Sequence, residues 1–509
     1  MKIEPISKKG YALLHHGAIE LAIVEANGFM IDTDLLEKQE KEVDSMIRKL
    51  KRELYTTEEW KKWRTRFGSS STLTSRDQLG KFLEEELKVE IKNRTPTGRP
   101  KVDEETLSDI KHPFVEKLLL IFKLEKLKGT FLKGVKKETA PDSRLHPFFH
   151  LHTARTFRSS SERPNFQNFP VRDKMMSKFI RSVFVPSPGC VLLEADFKGI
   201  EVAISACYHK DPNFVKYIST PGMDMHRDMA AQIFFLKPEE VTKPIRYGAK
   251  NKFVFPQFYG DFYVSCARSL WEWIRKGELK DPKGRSLYEH LKDHGIEELG
   301  ACDPKQEPRS GTFEYHVREV ERDFWNRRFK LYGQWRKDWW ESYLKKGYFD
   351  LLTGFRIKGV FPRNAVVNYP IQGTAFHCLL WSLIQINREI RKRRMKTKIV
   401  GQIHDSLIAD VPIEELHEYL CILEDVTTRR LKEHWKWIIV PLEVEYEISL
   451  PGTSWYDKVE MKFKDGYFIH PQDEKKRTKN TKAFLKAMER IITKEEEDGT
   501  VQETQTEGS

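Results

Sequence analysis

The hydrophobic and polar positions divide this chain into blocks of different texture. Residues 21 to 137 read mostly as helix. A glycine turn, Asn27-Gly28-Phe29-Met30-Ile31-Asp32, leads into LLEKQEKEVDSMIRKLKREL, the pattern of an exposed helix laced with ion pairs. The polar stretch NRTPTGRPK is a Pro/Gly-rich loop, followed by a second helical run, HPFVEKLLLIFKLEKLKGTFLKGV, with lysines set among apolar residues. Those lysines form either a solvated face or a set of phosphate contacts. From 146 to 212 the texture changes to loops and short strands. An aromatic-rich helical block occupies 224 to 346, with an internal loop around LGACDPKQEPRSG. Strand-like runs return in KGYFDLLTGFRIKGVFP and in KIVGQIHDSLIAD, and residues 461–509 read as a charged tail expected to be largely disordered.

Composition narrows the classes. A chain of 509 residues is too long for one compact core and should divide into subdomains. Its net charge of +12 suggests an anionic partner, most simply a nucleic acid. Six cysteines, at positions 190, 207, 266, 302, 378 and 421, lack any CxxC spacing, which argues against a zinc site or a disulfide framework and for a reducing compartment. No apolar run reaches the eighteen or so residues of a membrane helix, and no signal peptide opens the chain. A soluble protein with no membrane partner is expected.

Three stretches carry candidate chemistry. In KIVGQIHDSLIAD two apolar half-strands meet at His404-Asp405. An unpaired buried carboxylate costs several kcal/mol, so Asp405 belongs at a turn, either as an ordinary turn residue or as a metal ligand at a hairpin tip. The second reading needs a partner. It appears in CVLLEADF, where a short apolar strand ends in Asp196 and passes into a helical Lys198-Gly199-Ile200-Glu201. A strand-end Asp and a hairpin-tip Asp can lie side by side on one sheet and hold two Mg²⁺ ions, the device used for in-line displacement at phosphorus. In RYGAKNKFVFPQFYG, Arg246 and Lys250 stand one helical turn apart, followed by a dense aromatic cluster. Cations in register with aromatics suit a nucleoside triphosphate, although a basic helix packed on a core would look the same in isolation.

Taken together and in this order, the three stretches resemble the A, B and C motifs of family A DNA polymerases. The resemblance runs from about Leu21 to Trp455. It is also carried by Thr156-Phe157-Arg158-Ser159-Ser160, Asn165 through Arg172, Asp224-Met225-His226-Arg227, Asn368 through Ala375, and Val440-Pro441-Leu442. It implies an α+β, right-hand fold: an N-terminal segment (1–20), a helical thumb (21–145), a palm with an antiparallel sheet in two parts (146–215 and 366–460), helical fingers (216–365), and the tail. It further implies template-directed addition of dNTPs to a primer 3′ end. Asp196 and Asp405 would bind two Mg²⁺ ions. His226, Arg246 and Lys250 would grip the triphosphate, with Lys250 a proton donor to pyrophosphate. Phe255 and Tyr259 would face the nucleotide, and Glu201 would exclude a 2′-hydroxyl. Arg158, Arg172, Asn368, Gln372, Gln402 and His404 would contact primer–template DNA. The segment before Leu21 is too short for an N-terminal proofreading exonuclease, so a chain without 3′–5′ editing is expected, whether it naturally lacks that domain, is a fragment, or is a separately encoded polymerase subunit. It would act as a monomer in the cytoplasm of a bacterial or phage-infected cell, with a separate exonuclease or processivity subunit as a candidate partner.

The chain departs from the family pattern in four places. Ser406 stands where the family usually has an accessory Glu, Phe157 replaces the glycine of a Thr-Gly-Arg motif, and Asn364 replaces an Arg beside Arg363. One extra residue lies between Lys250 and Tyr259. In a strict α-helix that residue would swing the aromatics about 100° off the face of Arg246 and Lys250. A π-bulge would restore the register, and Pro256, which lacks an N–H, favours that outcome. Phe255 then takes the position that governs dideoxynucleotide acceptance in the family. Two other functions compete: a single-subunit RNA polymerase, against which Glu201 argues, and an inactive DNA-binding subunit, against which the retained Asp196, Asp405, Arg246 and Lys250 argue.

Overall fold

A computed structural model describes residues 2–91, 94–95, 97–275 and 279–490. At its centre is a seven-stranded sheet, all of whose pairings are antiparallel. In spatial order its strands are Asp473–Thr478, Tyr467–His470, Val459–Lys464, Val444–Ser449, Cys190–Phe197, Ser406–Pro412 and Lys398–Ile403. Alternation decides what each face meets. Val191, Leu193 and Ala195 point into a core shared with Leu379, Leu380 and Leu383 of the long helix Arg363–Lys392. Leu192 and Ile408 point the other way, into a second core with Phe166, Phe169, Phe184 and Trp455.

The long helix is clamped by the helix Lys8–Asn27. A Cβ on Gly17 would lie 2.7 Å from Leu380 Cδ2, so only glycine permits this approach. The nearly buried Glu20 receives two hydrogen bonds from Arg391, at 2.7 and 2.5 Å. Gly28, at φ 61°, turns the chain out of the first helix, and Asp32 caps the next, Thr33–Tyr55, by accepting from Leu35 N at 2.9 Å. The helices from Thr33 to Glu138 form an arm with its own core around Trp63, Phe82 and Phe114. On the other side, helices from Met225 to Lys346 pack around Phe214, Phe253, Phe258, Phe324 and Tyr332. The hairpin Tyr348–Leu351/Phe355–Lys358 closes that block, and the strand Lys2–Pro5 pairs with its second strand. No helix among the described residues is long and apolar enough to cross a membrane.

The α+β architecture with an antiparallel sheet is as expected, and three details correct the sequence reading. A boundary at residue 21 would cut the helix Lys8–Asn27, whose first half already packs on Leu380. A boundary at 365 falls inside Arg363–Lys392. The tail is folded as far as residue 490: strands Val459–Lys464, Tyr467–His470 and Asp473–Thr478 extend the central sheet, and a helical stretch follows. Its charge concealed a two-residue alternation that turns Met461, Phe463 and Phe468 inward while lysines face water. Asp465 and Gly466, at φ 53° and 75°, form the turn, and Phe468 stacks on Phe484 at 4.5 Å. Residues 491–509 lie outside the described residues, as do Asn93 and Pro96 of the expected loop.

Candidate active site

The two aspartates stand at adjoining ends of the fifth and sixth strands of the sheet. Ser406 is the register partner of Asp196, and Phe197 N donates to Asp405 O at 3.2 Å, tying the hairpin tip to the end of the neighbouring strand. The turn has two residues, His404 and Asp405, with His404 left-handed at φ 48°. Solvent reaches Asp196, but protein surrounds the cleft. Burial, then the carboxylates of Asp405, Glu194 and Glu445, push its pKa up to about 7. Burial also raises Asp405, against the pull of Arg158, whose Nη2 stands 3.9 Å from Asp405 Oδ1. That oxygen is buried and accepts no hydrogen bond.

These features fit a divalent cation. Two adjacent carboxylates disfavour their own ionised forms, one oxygen is unused, and the donors are hard oxygens. Among the described residues no group of three or more His, Cys, Asp or Glu side chains is arranged to hold a metal. An ion here would therefore complete its coordination with water and substrate oxygens, as Mg²⁺ does.

A line of contacts leads from this pair to the basic helix. Arg158 forms an ion pair with Glu201, in the first turn of the helix Ile200–His209, and Tyr259 Oη donates to the other Glu201 oxygen at 2.9 Å. Burial raises the Glu201 pKa while Arg158 and Tyr259 oppose it. Asn368 Nδ2 donates to Tyr259 O at 2.9 Å. Glu201, Phe255, Tyr259, Asn368 and Gln372 line one pocket, together with Ser205 and Tyr332.

The basic helix does contain the bulge. Lys243–Ala249 is α-helical, Lys250–Val254 is π-helical, and Phe255–Tyr259 is α-helical again. Phe255 N donates to Lys250 O, an i→i−5 bond, directly before Pro256. Lys250 Nζ lies 5.1 Å from the Phe255 ring centre, and His226 packs on the same ring at 5.6 Å. Phe253 is fully buried against Phe324 at 5.7 Å. The register thus follows Tyr259, and Phe255 rather than Phe253 faces the pocket.

Arg246 Nε donates to Asp224 Oδ2 at 2.6 Å. Asp224 Oδ1 also accepts from the backbone N of His226 and of Arg227, each at 3.1 Å, capping the helix Met225–Phe234. Burial, then Arg246 and Lys250, lower the His226 pKa to about 4, so its ring is neutral at pH 7 and its Nδ1 is buried without a partner.

One expected DNA contact differs. Gln402 is only 2% exposed. Its amide accepts from Ser159 and Gln167 and donates to His404 O at 2.8 Å, so it braces the His404–Asp405 turn from beneath and offers no surface to DNA. Its β-strand position, between apolar residues, was the available signal. Arg172 is exposed on the loop before Lys174–Arg181, and His404 is exposed at the hairpin tip. The glycine replaced by Phe157 corresponds to a left-handed residue, φ 62°, and the buried ring, packed on Phe355 at 4.9 Å and His377 at 5.5 Å, offsets that strain. Sequence reasoning passed over Asp224, Glu194 and Lys458 as site residues. The N-cap position of Asp224 before Met-His-Arg was a legible signal for the first.

Comparison with known proteins agrees with this geometry. The family model for DNA polymerase family A matches residues 33–278 and 353–457. The chain belongs to DNA polymerase family A. It is 26% identical over 447 residues to DNA polymerase I of Bacillus subtilis strain 168, covering 86% of this chain and 45% of that protein. It is 28% identical over 443 residues to DNA polymerase I of Lactococcus lactis subsp. lactis, covering 86% and 44%. The chain therefore spans a little under half the length of these curated relatives. A solved structure described as the POL domain of Pol1 from M. smegmatis, in complex with DNA primer-template and dNTP, matches with a TM-score of 0.67 at 24% identity. That match covers 87% of this chain and 70% of the other, and it shows a family A polymerase-domain fold.

Proposed function

We propose that this chain is a template-directed DNA polymerase that adds dNTPs to a primer 3′ end. The observation that carries the reading is the pairing of Asp196 and Asp405 at adjoining strand ends, linked through Arg158, Glu201 and Tyr259 to the helix of Arg246 and Lys250. In the thumb–palm–fingers scheme the helical arm is the thumb, the central sheet the palm, and the aromatic helical block the fingers. Asp196 and Asp405 hold Mg²⁺ in this scheme; two such ions would activate the primer 3′-hydroxyl and neutralise charge on the triphosphate.

The chain's own residues do the rest. Arg246, released from Asp224, and Lys250 bind the triphosphate oxygens, while neutral His226 offers a ring nitrogen without adding charge. The primer 3′-hydroxyl gives its proton to water, and its oxygen forms a bond to the α-phosphorus as the α–β bridging P–O bond breaks. Pyrophosphate leaves and takes a proton from the Lys250 ammonium. Phe255 and Tyr259 form the wall on which the base stacks, Glu201 closes the space of a 2′-hydroxyl, and His404 touches the primer end. Arg158, Asn368, Gln372 and Arg172 approach the primer–template. The six free cysteines suit the reducing cytoplasm of a bacterial or phage-infected cell, and the chain is proposed to act as a monomer without 3′–5′ trimming.

Primer extension with each dNTP and NTP tests this. Wild type should add only the template-coded dNTP. Glu201→Ala should admit ribonucleotides more readily at some cost in rate. Equal use of NTPs by wild type would favour an RNA polymerase.

A further inference from the structure

Beside Asp196 and Asp405 lies a third carboxylate that the proposed reaction does not use. Glu194 precedes Asp196 by two residues on one strand, so both side chains leave the same face. Ser406, the register partner of Asp196, shares that face, and its single hydroxyl hydrogen is shared between Glu194 Oε1 at 3.1 Å and Ile403 O, within the same hairpin, at 3.0 Å. Trp455 Nε1, at 3.0 Å, and Lys458 Nζ, at 2.6 Å, both donate to Oε2. The Glu194 side chain is only 12% exposed. Lys458 is shared with Glu447, 2.5 Å away, which is the register partner of Glu194 on its other side.

A buried ion pair can be purely structural. Here Lys458 contacts two carboxylates and the buried Arg181 guanidinium acts on both from a longer distance, next to the further pair Asp196 and Asp405. Oε1 of Glu194, facing Ser406, is left with one lone pair unused. The hairpin position that follows Asp405 carries a hydroxyl instead of the family's accessory Glu, and that hydroxyl lies between Glu194 and Ile403 O, joining the carboxylate to the hairpin.

We infer that Glu194 supplies, from the neighbouring strand, the accessory carboxylate that position 406 lacks. It is a positioning residue. Through Ser406 it fixes the Asp405 turn, and its charge strengthens the hold of the aspartate pair on a divalent cation. This rests on the polymerase reading, but its Mn²⁺-binding measurement does not require primer extension.

Glu194→Gln keeps the shape and removes the charge: its one carbonyl oxygen can still accept from Trp455 and Lys458, while its amide N–H can donate to Ser406 Oγ. Two quantities are measured: the Mg²⁺ concentration for half-maximal primer extension, and Mn²⁺ bound by the protein–primer–template complex beyond that bound by DNA alone, read from the free-ion EPR signal. Both should weaken by about tenfold, with primer–template affinity unchanged. Glu194→Gln combined with Ser406→Glu should recover most of the loss, because a carboxylate returns from the hairpin side. Should Glu194→Gln fail to fold, Ser406→Ala, which keeps every charge, should shift both readouts in the same direction by less. Wild-type Mn²⁺ binding in Glu194→Gln, with only a lower Tm, would overturn the inference. Wild type that binds Mn²⁺ but never extends a primer would instead overturn the polymerase reading, and the EPR comparison would still decide the role of Glu194.

Discussion

The sheet and the basic helix are linked through Arg158, Glu201 and Tyr259, yet they hold their functional residues by opposite means. In the sheet, regularity does the work. An unbroken ladder from Ser406–Asp196 to Pro412–Cys190 fixes the direction of every side chain, and the two aspartates meet because the register allows nothing else. In the helix, an irregularity does it. The π turn at Lys250–Val254 rotates Phe255 back over Lys250 and sends Phe253 into the core. Order positions charge in one element; a local defect positions a ring in the other.

The largest way to break this comparison lies in the sheet. Asp196→Ala should cut extension by roughly 10³-fold, because it removes half of the charge-bearing pair where the transition state needs it. Primer–template affinity should barely change, since phosphate contacts from the basic surface supply most of it. A rapid-quench single-turnover assay with a parallel anisotropy titration reads both.

The helix gives a change of specificity rather than a loss. Phe255→Tyr should raise incorporation of dideoxynucleotides relative to dNTPs, while Phe253→Tyr should leave that ratio unchanged and lower stability by about 1–3 kcal/mol through a buried hydroxyl. Competition of ddNTP against dNTP in one gel lane measures the ratio. An effect at Phe253 and none at Phe255 would mean that the functional register follows Lys250.

The smallest effect concerns stability. A carboxylate whose folded pKa is raised to about 7 is destabilised in its ionised form. Its contribution is neutral below the unfolded value, near 3.8, grows unfavourable as pH rises from there to about 7, and is fully expressed above 7. In metal-free buffer at pH 8, Asp196→Asn should therefore stabilise the fold, by about 1–2 kcal/mol once solvent screening of this exposed residue is allowed for. The gain should vanish near pH 3.5 and shrink when Mg²⁺ is added. Equal Tm values at pH 8 would remove the like-charge account.

What was legible in the sequence follows the same divide. Strand ends, the hairpin tip and the carboxylate pair were visible because alternation and turn chemistry are local. The bulge was visible only because Pro256 marks where an α-helical bond cannot form. The folded tail was missed because its lysines outnumber the inward Met461, Phe463 and Phe468, and composition averaged the alternation away. Gln402 was misread because its burial depends on Ser159 and Gln167, more than two hundred residues away in sequence. Glu194 escaped for the same reason: nothing in CVLLEADF reveals Ser406, Trp455 and Lys458 closing around it.

The measurement that tests the central claim most directly is Mg²⁺-dependent primer extension by wild type and Asp405→Ala, side by side, with primer–template binding measured on the same preparations. The account predicts addition of the template-coded nucleotide by wild type, none above background by Asp405→Ala, and affinities within about twofold of each other. Extension that survives in Asp405→Ala, or its absence from a wild-type chain that binds primer–template, would contradict it.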